Sequence, residues 1–270
     1  MVTSPRDPRE LGDAWRTHQR HAFTPAGTDL DPFVAGFWTA EWNYESPYQQ
    51  KIVPYPQVQL TSRDGAKPEL HGVSTRYVLR LLEGRGRVVG AAFRPGIFRS
   101  ILGQSVSTIT DRIVPAAEVS VLQPIPGSID DPADFERWLL RRLPSPDPAG
   151  QQASEIVDLV RADPSISRVD TLAATVGLSL RALQRLCAEH VGVGPKWLIR
   201  RYRLHEVTKR LDAGSPIDWA ALAAELGYAD QAHLTRDFAG LFGEPPTTYA
   251  GRYPNPQVSV VRRARSSQAW

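Results

Sequence analysis

The chain has 270 residues, 41% of them hydrophobic, which is enough for two domains of ordinary size with a core in each. A single cysteine, Cys187, excludes an internal disulfide and any zinc site built from several thiolates; with no apolar run near the ~18 residues of a membrane span, and a charged opening (MVTSPRDPRELGDAW) unlike a secretion signal, a soluble cytoplasmic protein is expected. The net charge of +3 says little about partners, because bases and acids balance at 17 each over 1–150 and at 12 each over 151–253, and the excess is Arg262, Arg263 and Arg265 near the end.

Taken in order, QKIVPYPQVQL (50–60), TRYVLRLLE (75–83) and GRVVGAAFRPG (86–96) are short, β-branched or aromatic, and punctuated by Gly and Pro, so they read as strands. The pattern turns helix-like over 97–111, and DPADFERWLLRRL (131–143) opens on an Asp-Pro cap with Phe135, Trp138, Leu139 and Leu143 at helical spacing. The first domain, 1–143, is thus expected to be β-rich with helices at its end. PSPDPAGQQ then packs prolines and a glycine into nine residues, which predicts an extended linker over 144–153. Helical periodicity runs through 154–253, and a polar, basic, mobile tail is expected over 254–270.

The second half repeats itself. At a shift of 50, Ala173 and Gly177 match Ala223 and Gly227; at 51, Leu183, Arg185, Gly192 and Pro195 match Leu234, Arg236, Gly243 and Pro246. Each copy has the logic of a helix-turn-helix: a small residue where two helices cross, a glycine free to take positive φ in the turn, and a cap, Ser179 or Asp230, for the next helix. Leu172, Val176, Leu178, Leu183 and Leu186 fall on the shared buried face of the first copy; Leu222, Leu226, Tyr228, Leu234 and Phe238 repeat it. A duplicated helical bundle without DNA chemistry is the bland alternative, and the polar outer faces weigh against it.

Those faces carry the side-chain types that read base edges. Arg181, Gln184 and Arg185 lie opposite the buried face of the first recognition helix, and Gln231, Ala232, Thr235 and Arg236 on the second, where Ala232 and the Thr235 methyl suit thymine methyls. PKWLIRRYRLHEVTKRL (195–211), with six bases against one acid, is a spacer helix of ~25 Å that could set two recognition helices in successive major grooves. Lys196, Arg200, Arg201 and Arg203 are candidate phosphate contacts, as is Ser179; His233 is either a phosphate contact or a packing residue.

TLAATVGLSLRALQRLCAEHVGVGPKWLIRRYRL and LAAELGYADQAHLTRDFAGLFGEPPTTY together resemble the AraC/XylS family of bacterial transcription regulators, with the Gly-Tyr-x-Asp-Gln-x-His opening of the second recognition helix and the Gly-x-Pro-Pro stretch after it. The resemblance implies a seven-helix domain reading double-stranded DNA from one side, and RNA polymerase as a partner. Cys187 departs from the aromatic residue common at that position and reads as a small buried thiol. The stretch from Glu69 to Val119, with its Phe-Arg-Pro-Gly step and Thr-Asp-Arg, resembles the β-rich first domain of an AraC-type subgroup. This second resemblance implies an α+β chain, a cupin-like barrel before an all-α domain, with the barrel holding a small effector or making a homodimer.

Enzymatic readings lack their residues. A cupin metal site needs converging histidines, and 31–150 holds only His71, while His18 and His21 sit in the N-terminal arm; a methyl-accepting repair module needs cysteines that are absent before Cys187. No cofactor and no catalysis are expected. Trp38, Trp42, Tyr55, Tyr77 and Phe93, with His71, are the candidates for a pocket taking an apolar or aromatic effector; core packing is the competing reading of each aromatic.

Overall fold

In a computed structural model of the protein, residues 18–145, 147–212 and 217–250 are described. The tail expected at 254–270 lies outside them.

Six antiparallel strands, β1 (Gln19–Thr24), β2 (Val34–Ile52), β3 (Gln59–Arg63), β4 (Glu69–His71), β5 (Val78–Phe93) and β6 (Ile113–Pro115), form one sheet in the order β1-β2-β5-β3-β4-β6. The segments expected as two strands over 75–83 and 86–96 are one, β5, in which Gly84 takes positive φ (52°) where the ladder to β2 shifts register between Tyr44 and Tyr48 and then resumes. Residues 53–58, inside the expected strand 50–60, join β2 to β3 outside either strand, as Pro54 and Pro56 cannot donate to a ladder. The barrel expected from the resemblance is not closed by the described strands: β1 and β6 are opposite edges of an open sheet.

Alternation along the strands gives the sheet two different faces. Phe37, Leu60, Leu70, Val89, Ala91, Phe93 and Val114 share one face through the registers Phe37↔Ala91, Leu60↔Ala91 and Leu70↔Val114, and are buried in the main core. Trp38, Trp42, Thr61 and His71 share the other. Trp38 and Trp42 lie across their cross-strand partners Gly90 and Gly86, where an added Cβ would come within 2.3 and 2.2 Å of the indole rings.

The helices α1 (Phe98–Leu102) and α2 (Pro132–Leu139) follow, the second capped as its sequence predicts: Asp131 accepts from Asp134 N at 2.9 Å, with Pro132 opening the helix. The extended linker expected over 144–153 is corrected. From Pro148 the chain is already the helix α3 (Pro148–Ala162), capped by Asp147, and Gly150 and Ala153 are buried. Proline at the first helical position costs no hydrogen bond, so the composition that marks a linker serves a helix start.

Helices α4 (Val169–Thr175), α5 (Leu180–Leu186), α6 (Pro195–Asp212), α7 (Trp219–Glu225), α8 (Gln231–Phe242) and α9 (Pro246–Ala250) complete an all-α half. A single π-helical turn, Cys187–Val191, extends α5. One apolar core runs from the sheet through α1–α3 to α4, α5 and the first turns of α6, ending at Leu198 and Ile199. A second core joins Leu204, Val207 and Leu211 of α6 to α7–α9, and Val53, after β2, belongs to it. The boundary between the cores falls inside α6, not between the sheet domain and the helical domain.

Candidate nucleic-acid interface

The repeat read in the sequence becomes two helix pairs, α4–α5 and α7–α8. Helices α4 and α7 begin and end 50 residues apart, whereas the caps of α5 and α8, Ser179 and Asp230, are 51 apart; the inserted residue lies in the second turn. Gly177 (φ 67°) and Gly227 (φ 71°) make the turns in the left-handed region that side-chain-bearing residues avoid. Ser179 Oγ accepts from Ala182 N at 3.2 Å and Asp230 Oδ1 from His233 N at 2.6 Å. Ala173, Leu183, Ala223 and Leu234 are buried where the helices cross.

Packing those faces inward leaves the others outward. Arg181, Gln184 and Arg185 on α5 and Gln231, Ala232 and Arg236 on α8 are exposed, and Thr235 is half-buried. His233 is exposed and stands edge-on to the Tyr228 ring at 5.1 Å, so it has a packing contact as well as an open face. Lys196 is exposed at the start of α6.

The remaining candidate phosphate contacts are not equivalent. Arg201 is 1% exposed, so its assignment to DNA is corrected: its Nε donates to the Pro54 carbonyl and its guanidinium lies 4.3 Å over the Tyr55 ring. Arg200 ties α6 to α8, its Nε 3.1 Å from Asp237 Oδ2 and its Nη2 donating to Asp237 O at 3.1 Å. Arg203 lies 4.1 Å over the Tyr228 ring. Sequence periodicity places all three on a basic helix; only the fold shows that this helix is covered on most sides.

The candidate effector residues divide three ways. Trp38, Trp42 and His71 share one sheet face. Phe93 points to the opposite face, where it packs edge-on against Phe98 at 4.7 Å in the main core. Tyr55 and Tyr77 stand at the junction with the helical half, Tyr77 within 3.0 Å of where a Cβ on Gly243 would be. Those two and Phe93 are therefore corrected as members of one pocket with the tryptophans. Sequence reasoning missed several polar residues on the tryptophan face: Thr61 Oγ1 lies 2.8 Å from His71 Nε2, Arg80 Nη2 3.4 Å from His71 Nδ1, and Gln50, opposite Arg80, accepts from Gln19 at 2.9 Å. Burial, helped by the Arg80 charge, lowers the His71 pKa to about 4. Gln50 opens the strand expected over 50–60, and it is the rest of β2, from Val34, that the sequence reading missed and that puts Gln50 opposite Arg80. Cys187 is buried and its thiol is pushed up to about 12 by burial alone, as expected of a packing thiol.

Among the described residues no three His, Cys, Asp or Glu side chains are grouped to hold a metal, and no helix is long and apolar enough to cross a membrane.

Residues 172–252 match a family model described as a helix-turn-helix domain, and residues 21–115 match a domain of unknown function (DUF6597). No curated protein sequence matches the chain. Among solved structures, an AraC-type transcriptional regulator from Chromobacterium violaceum is 21% identical, with 39% of this chain and 95% of that one covered at a TM-score of 0.35. A probable AraC family transcriptional regulator from Rhodopseudomonas palustris is 24% identical, covering 38% and 97% at 0.34. ToxT from Vibrio cholerae is 12% identical, covering 88% and 99% at 0.41. The matched segment, the duplicated turns and the two outward polar helix faces agree: the chain carries a helix-turn-helix domain, and its described part holds two such units in tandem.

Proposed function

We propose that the protein is a sequence-specific transcription regulator without enzymatic activity, binding double-stranded DNA through α5 and α8 and modulated by a small effector on the first domain. The observation that carries this reading is the tandem itself: two capped helices at equivalent positions of a duplication, each with Arg and Gln exposed and its apolar face buried. Arg185 and Arg236 are equivalent under the 51-residue shift and are assigned to base edges with Arg181, Gln184, Gln231, Ala232 and Thr235. Lys196, Ser179 and His233 are assigned to phosphates.

The effector is placed on the Trp38 and Trp42 face, where two indoles lie beside His71, Thr61 and Arg80. That combination suits a flat apolar compound carrying at least one polar group. The cupin-like character of the sheet, a homodimer, RNA polymerase contact and a cytoplasmic location belong to the same proposal.

Selection of sites from a pool of random duplexes, run in parallel with the Arg185→Ala/Arg236→Ala double variant, tests the central claim. Enrichment of a motif with two contact blocks, lost in the folded double variant, is the expected result. The same motif enriched equally by both proteins would remove the two arginines from base reading; no enrichment with or without added metabolite extract would remove the regulator reading.

A further inference from the structure

We infer that the end of β2 and the loop after it, Lys51 to Tyr55, with Tyr77, form a brace that sets the position of the second helix-turn-helix unit relative to the first, and so determines the operator spacing the protein accepts. The inference rests on the DNA-binding reading for its consequence but not for its geometry.

The two units are held differently. The first shares a continuous core with the sheet domain and is tied to it further by Thr110 Oγ1 donating to Gly192 O (2.6 Å) and Ser105 Oγ to Ala188 O (3.2 Å). The start of α6 is fixed in the same way, Trp197 Nε1 donating to Thr75 O at 3.1 Å. Helix α5 and the sheet domain therefore move as one piece. The second unit has its own core, and the sheet domain reaches it at a few points: Val53 inside that core, Lys51 Nζ 3.3 Å from the buried carboxylate of Glu244, and the Tyr77 ring against Gly243, whose φ of 77° lets the backbone pass under the ring.

Arg201 stands where the two cores part. It is sealed from solvent, its Nη1 and Nη2 have no hydrogen-bond partner among the described residues, and its guanidinium is accommodated by Pro54 O, the Tyr55 ring and, 5.9 Å away, the Phe242 ring of the second unit. A buried charge without a carboxylate is tolerated only while such partners stay in place, so the joint within α6 depends on the loop from the sheet domain. Alternation along β2 links this joint to the effector face. Gln50 points to the face of Trp38 and His71, opposite Arg80, while its neighbour Lys51 points to Glu244. A ligand that shifts Gln50 or Arg80 shifts the brace by the next residue of the same strand.

Two measurements test this, one without DNA. Spin labels at Ala174→Cys and Ala224→Cys, exposed and equivalent positions on α4 and α7, report the separation of the units; the native Cys187 is buried and stays unlabelled. A single narrow distance distribution is expected in the parent, a broadened one in Lys51→Glu and in Tyr77→Ala, and a narrow one again in Lys51→Glu/Glu244→Lys. If the swap fails to fold, Lys51→Ala and Tyr77→Ala still decide between broadening and none. An unchanged distribution in folded Lys51→Glu, Lys51→Ala and Tyr77→Ala overturns the brace. The second measurement compares binding to the selected operator with binding to versions carrying two extra base pairs between contact blocks. The loss on insertion is expected to shrink at least threefold in the brace variants; a loss the same within twofold overturns the spacing role. A parent with a narrow distribution that broadens in the brace variants, yet binds no duplex, would instead count against the DNA-binding reading alone, whereas a broad distribution in the parent itself overturns the brace.

Discussion

The basic residues on α6 separate into two classes that differ in what salt does to them. Lys196 is exposed, whereas Arg201 is sealed against Pro54 and Tyr55. A phosphate contact releases counterions, and each one removed lowers the salt slope of log K by about 0.9. Lys196→Ala is expected to reduce the slope by about that amount in binding titrations across salt, and Arg201→Met to leave it unchanged; equal slopes in both variants would return Arg201 to the DNA surface. Two histidines give the sheet and the joint a common response to acid. Burial first, and then Arg80 for His71 or Arg201 and Lys209 for His205, lowers both pKa values to about 4. The unfolded chain binds these protons near pH 6.5 and the folded chain near 4, so the stabilising effect of neutral histidine is complete above 6.5 and is lost as pH falls through that window. Each histidine adds a slope of at most about 1.4 kcal/mol per pH unit. Urea midpoints at pH 7 and pH 5 should therefore converge in His71→Gln and in His205→Gln relative to the parent; an undiminished gap in both would contradict the buried neutral state.

At the level of elements, the turn glycines separate a backbone requirement from a packing one. Gly177 at φ 67° has open space where a Cβ would sit, so Gly177→Ala should cost only the left-handed strain, about 1–2 kcal/mol. Gly192 at φ 92° adds neighbours: a Cβ there lies 3.0 Å from both Thr110 Oγ1 and Val106 Cγ1, across the contact with the sheet domain. Gly192→Ala should destabilise more than Gly177→Ala in denaturant melts, and an equal loss would mean that this contact yields freely. These elements also show what a sequence makes legible. The helix-turn-helix pairs are readable because cap, glycine and small crossing residue are local and occur twice in register. Strand β2 and the junction are not. The sequence signals of Pro148 and of Arg201 are each compatible with two environments, a linker or a helix start, a phosphate contact or a buried pin. Only the contact that α6 makes with a loop some 147 positions earlier in the chain decides the second.

Across the whole molecule, cooperative units need not coincide with domains. The main core runs from the sheet through Val106 and Ile109 to Leu172, Leu183, Cys187 and Leu198, so opening α4–α5 uncovers surface on the sheet domain as well. Opening α7–α9 uncovers chiefly their own core and its contact with Val53, and among described ion pairs gives up Lys51–Glu244, Arg200–Asp237 and Arg210–Glu225. Native-state exchange follows such units, since amides that open together share one free energy and one denaturant dependence. Amides of α5 are thus expected to exchange with those of β5 in the intact chain, and amides of α8 to exchange earlier as a separate group. Lys51→Ala should speed the α8 group more than β5 and α5, because the lost ion pair joins the sheet domain to the second unit and is one of the few contacts that hold that unit closed against it. Should α5 and α8 instead exchange together and apart from β5, the helical half would open as a body of its own, and the division within α6 would have no energetic counterpart.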